Sequence, residues 1–347
     1  MVIADEVVVG RIDAIVGQLG TAGTAVVHVI PGGEPAVASV DAAADVVRSV
    51  GHPVVVGAGG GSALDTAKLA AAVAAGDPGV EHYLLSAAPL PAGPPVVAVP
   101  TTSGTGSEVT RTSVLTDAAG HKSWAWGDEL LPSLVVLDPT LTVSVPPHVT
   151  AATGLDALVH AVEAVTGRRS DEHVAAAAME AIELVARNLP DAVARPEDLD
   201  ARRAMQDAAM LAGVAIDGGG TGIAHSIGHA LGTLGHIPHG VAVTAGLRAA
   251  LEWNLAGSDG AYAPVAAALS CSVADVPTRV DELLEGCQFA AVVRRAGPLE
   301  VDAESLAAAM IADENRPMYD NNCRLASDDD RRLLAETTLR CWAEWST

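Results

Sequence analysis

The hydrophobic positions change their period near residue 146. Ahead of it, short apolar runs alternate with segments of helical spacing. Residues 1–4 are apolar. Val8, Ile12, Ile15, Val16 and Leu19 recur at helical intervals and predict a helix over 8–19. Residues 25–30 read as a strand, and Gly32-Gly33 as a turn. Val40, Ala43, Ala44, Val47 and Val50 form one stripe of a helix over 40–50. A buried strand over 53–57 is broken by Gly59-Gly60-Gly61, and a helix follows over 62–75. Further apolar strands are expected over 94–99 and 134–137. This β-α-β-α order predicts a parallel sheet covered by helices on both faces.

After Pro146-Pro147 helical periodicity runs almost everywhere and no strand pattern is convincing. Helices are expected from Thr150 onward and over 171–188, 199–216, 222–234, 241–255, 273–296, 303–311 and 328–345. The chain therefore divides into an α/β domain over 1–147 and an all-helical domain over 148–347. The runs 87-AAPLPAGPP-95 and 256-AGSDGA-261 read as loops, and there are no internal repeats.

Two turns of the first domain suggest a ligand. In 54-VVVGAGGGSALDTAKLAA-71 a strand runs through glycines into a helix. Glycines let the backbone approach a ligand closely, and the helix start offers free N–H groups, which suits a pyrophosphate. The segment is neither GxGxxG nor a P-loop, and such turns also serve packing alone. A second turn, 100-PTTSGTGSEVT-110, also follows a strand. Thr101, Thr102, Ser103 and Thr105 could bond a ribose or phosphate, or the turn could be an ordinary loop with Ser107 capping a short helix. Ligands of open parallel sheets bind at the carboxyl ends of the strands, so two such turns argue more than either alone.

The helical domain concentrates histidine. Asp156 and His160 stand four apart on an otherwise apolar helix face formed by Ala152, Leu155, Val159 and Val162. Alone, that helix reads as a buried Asp–His pair. The segment 222-GIAHSIGHALGTLGHIPHG-240 then adds His225, His229, His236 and His239, four of the chain's eleven histidines. One carboxylate and three imidazoles suit Fe(II), Zn(II) or Ni(II). Asp156, His160, His225 and His239 are the expected ligands, with His229 or His236 left over, in a cleft between the domains.

Composition narrows the partners. The chain has 347 residues and a formal net charge of −23, which repels nucleic-acid phosphates and anionic lipid. Half the residues are hydrophobic and only 3% aromatic, so the core must be built of Ala, Val and Leu. The four cysteines lie in the last quarter without a CxxC pair, which favours reduced thiols in the cytoplasm. No apolar stretch reads as a signal or a membrane span.

In 59-GGGSALDTAK-68, 100-PTTSGTGSEVT-110, 138-DPTLTVSVPPHVTAATGLDALVHAVEA-164 and 224-AHSIGHALGTLGHIPHGVA-242 the sequence resembles the iron-containing (group III) alcohol dehydrogenases. The resemblance covers nearly the whole chain and fades after about Gly286, where 320-DNNCRLASDDDRRLL-334 is similar to the family's tail. It implies a dinucleotide-binding α/β domain and a helical metal-binding domain, an architecture shared with dehydroquinate synthase. It implies Asp156, His160, His225 and His239 as metal ligands for Fe(II) or Zn(II), and His229 as a non-ligand histidine near nicotinamide and substrate. Gly59, Gly60, Gly61 and Ser62 fall on the pyrophosphate loop. Asp65 of that segment, and Thr101, Thr102 and Thr105 of the second, are assigned to the cofactor. Lys122 resembles a lysine near the cofactor ribose. Asp5 resembles the acidic residue on the adenosine ribose, which favours NAD over NADP because a carboxylate repels a 2′-phosphate.

The implied reaction is reversible hydride transfer between NAD(P) and a small alcohol and its aldehyde or ketone. A homodimer is also implied, although the family's first strands and helix, which help form that contact, precede the segment corresponding to Met1. Rival readings are a polyol dehydrogenase or dehydroquinate-synthase-like cyclase on the same fold, and a metal-dependent hydrolase or lyase without a hydride step. Trp124 and Trp126 either line the substrate pocket or are structural.

Overall fold

The apolar runs of the first part are the strands of one parallel sheet. In a computed structural model, which describes residues 1–8, 10, 16–17, 24–258 and 260–347, β1 (Val2–Asp5), β2 (Val27–Ile30), β3 (Val55–Gly59), β4 (Val96–Pro100) and β7 (Leu134–Val135) run in the order β2-β1-β3-β4-β7. Every pairing in this sheet is parallel. The strand β3 is buried at all of its positions, as an inner strand covered on both faces requires. At the edge, β2 leaves Val27 and Val29 exposed. The helix expected over 8–19 covers 9, 11–15 and 18–19, which lie outside the described residues.

Two helices follow their strands closely. In α1 (Val37–Ser49) the buried side chains are Val40, Ala43, Ala44 and Val47, the stripe read from the sequence. In α2 (Gly61–Val73) every residue from Ala63 to Val73 is buried. A Cβ at Gly57 of β3 would lie 2.8 Å from the Ala67 Cβ, so α2 rests almost directly on the strand backbone.

An antiparallel hairpin, β5 (Thr112–Thr116) and β6 (Lys122–Trp126), was not legible as strands. Its buried face is made of Ser113, Leu115, Ser123 and Ala125, only one of them a large apolar residue. Polar bonds from α2 hold it instead. The Asp65 carboxylate accepts from the Val114 N–H at 3.1 Å, and the Lys68 ammonium donates to the Thr112 carbonyl at 2.7 Å. Ser107 does not cap a helix. It opens a short 3₁₀ turn (Ser107–Val109), and its hydroxyl donates to Asp65 at 2.5 Å.

The chain forms two compact units, Met1–Thr102 with Gly106–Thr142, and Ser103–Thr105 with Val143–Thr347. Among the described residues the second unit is built of helices and their connections, without a strand. It comprises α3 (Pro147–Thr166), α4 (Glu172–Ala194), α5 (Leu199–Gly219), α6 (Ile223–Gly235), α7 (His239–Leu255), α8 (Ala263–Ala268), α9 (Val276–Gly286), α10 (Phe289–Ala296), α11 (Ala303–Ala309), α12 (Arg316–Asn321) and α13 (Asp328–Ser346). From Gly154 to Thr166, α3 is buried on every side, which explains its apolar character all round. Instead of stopping near Asn188, α4 continues through Pro190, because Leu189, Ala192 and Val193 still bury their side chains. The single helix expected over 273–296 is broken after Gly286, where Gln288 takes a left-handed φ of 54°. Among the described residues no helix is long and apolar enough to cross a membrane.

Candidate functional site

Three helices of the second unit, α3, α6 and α7, meet through glycine. A Cβ at Gly228 of α6 would lie 2.5 Å from Val243 Cγ1 and 2.9 Å from the Val243 backbone nitrogen of α7. A Cβ at Gly240 of α7 would strike the Ala152 carbonyl oxygen of α3 and come within 3.4 Å of the Asp156 Cβ. With no side chain in the way, the backbones touch and the flanking polar side chains converge.

Asp156 and His160 come from α3, His225 from α6 and His239 from the first position of α7. One ligand atom from each of the four lies within 4.8 Å of all the others. Asp156 Oδ1 stands 3.6 Å from both His160 Nε2 and His239 Nε2. That is too long for a hydrogen bond. Two donors about 2.1 Å from a tetrahedral ion stand roughly 3.4 Å apart, so the spacing suits ligands sharing a cation. The His160 and His225 rings stack with centroids 4.8 Å apart.

The donor atoms fit an ion on a second count. Asp156 Oδ1 and His225 Nε2, two of the converging atoms, are buried without a hydrogen-bond partner. Such orphans are rare because each costs the desolvation of a polar group. Burial holds the His160 pKa below its usual value, against the opposing pull of Asp156. It therefore stays neutral, the form that ligates.

His229 is buried beside this group, its ring centroid 6.1 Å from that of His225 and 5.5 Å from that of His239. His236 does not join it: it is the exposed C-cap of α6, with a left-handed φ of 53°. Sequence reasoning missed Glu163, a buried carboxylate 2.5 Å from His225 Nδ1. The available signal was its place on the face of α3 that carries His160, three residues earlier.

The first unit arranges the glycine turn at the ends of β1, β3 and β4. Asp5 ends β1, and its carboxylate accepts from the Val7 and Val8 N–H groups, both at 3.0 Å. Gly59 ends β3 with φ of 155°; a Cβ there would lie 2.6 Å from the Ala63 Cβ and 3.0 Å from Asp5 Oδ2. Only glycine fits. The helix α2 begins at Gly61 without a side-chain cap, so Gly60, Gly61 and Ser62 present a bare helix start. The Thr101 N–H donates to the Gly59 carbonyl at 2.8 Å, tying the second turn to the first. Thr102 Oγ1 lies 3.4 Å from where a Gly60 Cβ would stand. Thr105 belongs to the second unit.

Asp65 faces inward. Its carboxylate is occupied by Ser107 and Val114, and burial raises its pKa despite Lys68 nearby. The buried Lys122 ammonium pairs with Glu34 at 3.0 Å. Trp126 is 46% exposed, with the Arg111 guanidinium 5.3 Å over its ring.

Comparison with known proteins gives the same picture. Residues 1–139 match the iron-containing alcohol dehydrogenases, and residues 150–336 match the C-terminal part of the Fe-containing alcohol dehydrogenase family. A sulfoacetaldehyde reductase of Bilophila wadsworthia (strain 3_1_6) is 34% identical over 319 residues, 88% of this chain and 82% of its own length. An NAD-dependent methanol dehydrogenase of Bacillus methanolicus is 37% identical over 71% of this chain and 65% of its own. The match to a probable alcohol dehydrogenase of Escherichia coli (strain K12), 38% identical, spans 57% of that protein's length. Among solved structures, a sulfoacetaldehyde reductase from Bifidobacterium kashiwanohense in complex with NAD+ superposes with a TM-score of 0.86 at 29% identity, covering 97% of this chain and 90% of that one. A 1,3-propanediol oxidoreductase superposes with a TM-score of 0.85 at 31% identity, covering 97% and 91%. From its glycine turn to its histidine-bearing helices, this chain belongs to the iron-containing alcohol dehydrogenase family.

Proposed function

We propose that the protein is a metal-dependent oxidoreductase that moves a hydride between a nicotinamide dinucleotide and a small alcohol or its aldehyde or ketone. The observation that carries this reading is the convergence of Asp156, His160, His225 and His239, with the buried Asp156 Oδ1 and His225 Nε2 left unsatisfied. Bound there, a divalent cation supplies Lewis acidity to a substrate oxygen, and the bound dinucleotide supplies the hydride acceptor or donor.

The chain's own residues do the rest. Three neutral imidazoles and one carboxylate leave one charge of a divalent ion uncompensated, which favours a substrate oxygen that gains negative charge. His229, buried next to the ligands but outside their group, takes the substrate proton on a ring nitrogen and passes it on. Gly59, Gly60, Gly61 and Ser62 receive the pyrophosphate at the start of α2, and Thr101 and Thr102 flank it. Asp5 accepts the adenosine ribose hydroxyls and repels a 2′-phosphate, so NAD is preferred to NADP. Lys122 lies near a cofactor ribose in this reading. Asp65 supports this surface from beneath through Ser107 and Val114. A cytoplasmic location belongs to this reading, since the four cysteines show no CxxC pair in the sequence. A homodimer is the assembly this reading favours, and light scattering measures it.

The test combines elemental analysis of anaerobically purified protein with NADH oxidation across a panel of small aldehydes. About one iron or zinc per chain with aldehyde-dependent oxidation supports the reading. Protein that stays metal-free and inactive after iron or zinc is added back removes it.

A further inference from the structure

Glu163 lies on α3, seven residues after Asp156 and three after His160, and is buried. Its Oε2 lies 2.5 Å from His225 Nδ1. Its Oε1 accepts from the backbone N–H of Ala224 at 2.6 Å and of His225 at 3.4 Å, in the first turn of α6. A Cβ at Gly222 would stand 2.9 Å from Oε1, so glycine lets the carboxylate reach the helix end. The positive end of the helix dipole favours a negative charge there.

We propose that Glu163 is a positioning residue of the metal centre, holding His225 in the tautomer and ring orientation that turn Nε2 toward Asp156, His160 and His239. The proposal rests on the metal reading of those four residues. An ionised carboxylate only accepts hydrogen bonds, so the proton of a neutral His225 must sit on Nδ1. The Nε2 lone pair is then free, and Nε2 is the ring atom that is buried with no hydrogen-bond partner. The same carboxylate fixes the backbone from which His225 projects, so ring and main chain are set by one group. The negative charge also makes the imidazole a stronger donor to a cation.

A helix cap alone would account for the two backbone bonds but not for Oε2 on Nδ1. Two variants separate the roles. Glu163→Gln keeps the volume but offers an amide donor as well as an acceptor, so both tautomers of His225 find a partner. Asn322→Ala removes a different bond to the same helix end, in which Asn322 Oδ1 accepts from the Ile223 N–H at 3.4 Å, and does not touch His225.

The experiment uses the full chain loaded with Zn(II). Zinc release to an excess of chelator is timed, and the imidazole nitrogens are observed by 15N NMR. Wild type should show His225 protonated at Nδ1. Glu163→Gln should release zinc roughly tenfold to hundredfold faster and lose that single protonation pattern. Asn322→Ala should melt earlier yet keep both the rate and the spectrum. Zinc release from Glu163→Gln at the wild-type rate overturns the proposal while leaving the four-ligand site intact. So does wild-type His225 protonated at Nε2, a measurement that stands even if Glu163→Gln fails to fold. Wild type that takes up no zinc overturns the metal reading, and this proposal falls with it.

Discussion

At the scale of single residues, burial decides which titratable groups do chemistry and which hold structure. Glu108 is buried in the first unit, and desolvation raises its pKa to about 7, with Lys68 opposing and Asp65 adding to the rise. The folded state then keeps a proton that the unfolded chain releases at its ordinary 4.5. Stability therefore falls as pH rises from about 4.5 to 7, by roughly 3 kcal/mol at most, and stays lowered above that. Glu108→Gln should match wild type near pH 4 and be the more stable at pH 8 in denaturant unfolding. Equal stability at both pH values would contradict this account. His229 tests the proton path. His229→Ala should keep its metal yet lose at least tenfold in kcat for alcohol oxidation, with the acid limb of the pH–rate profile moved or flattened. An unchanged profile removes the relay role. The candidate ligand residues were legible because five histidines and one aspartate crowd two short segments. Glu163 was not, because a glutamate on a helix usually meets solvent, and it is the packing of α3 against α6 that brings this one to Nδ1 of His225.

At the scale of elements, helix contacts made through glycine fix the ligand spacing. Gly228 and Gly246 bring α6 against α7; a Cβ at Gly246 would lie 2.5 Å from the Ala224 carbonyl oxygen. Gly228→Ala should cost about 1–3 kcal/mol of stability, since the added methyl meets the backbone of Val243. Because His229 is the next residue and His225 lies one turn earlier, metal occupancy should fall as well. A variant with wild-type melting and full metal would show that the helices separate at little cost. The strands and long helices were readable from their apolar period. The hairpin was not, because Ser113, Ser123 and Ala125 blur its alternation and its anchors, Asp65 and Lys68, lie on another element. The break in 273–296 carried only Gly286 as a sequence signal.

At the scale of the whole molecule, two units with separate cores should respond differently to metal. The four candidate ligands all belong to the second unit, whose apolar core runs from Ala151 to Trp342. A cation that binds only the folded state at a thousand times its Kd adds about 4 kcal/mol. Stripping it with a chelator should lower the melting of the second unit by several degrees and leave that of the first nearly unchanged. Calorimetry or hydrogen exchange resolved by peptide checks this. Equal loss in both units would mean that they unfold as one body.

The glycine contacts between α3, α6 and α7 have a consequence for metal traffic in the cell. Backbones in direct contact set the donor spacing before any ion arrives, and one oxygen with three nitrogens discriminates weakly between Fe(II) and Zn(II). Zinc binds such donors more tightly, so iron occupancy depends on the supply rather than on the protein. Cells grown with excess zinc should yield zinc-loaded protein from the same gene product. The pool of available ions, more than the sequence, then decides which catalyst this scaffold becomes.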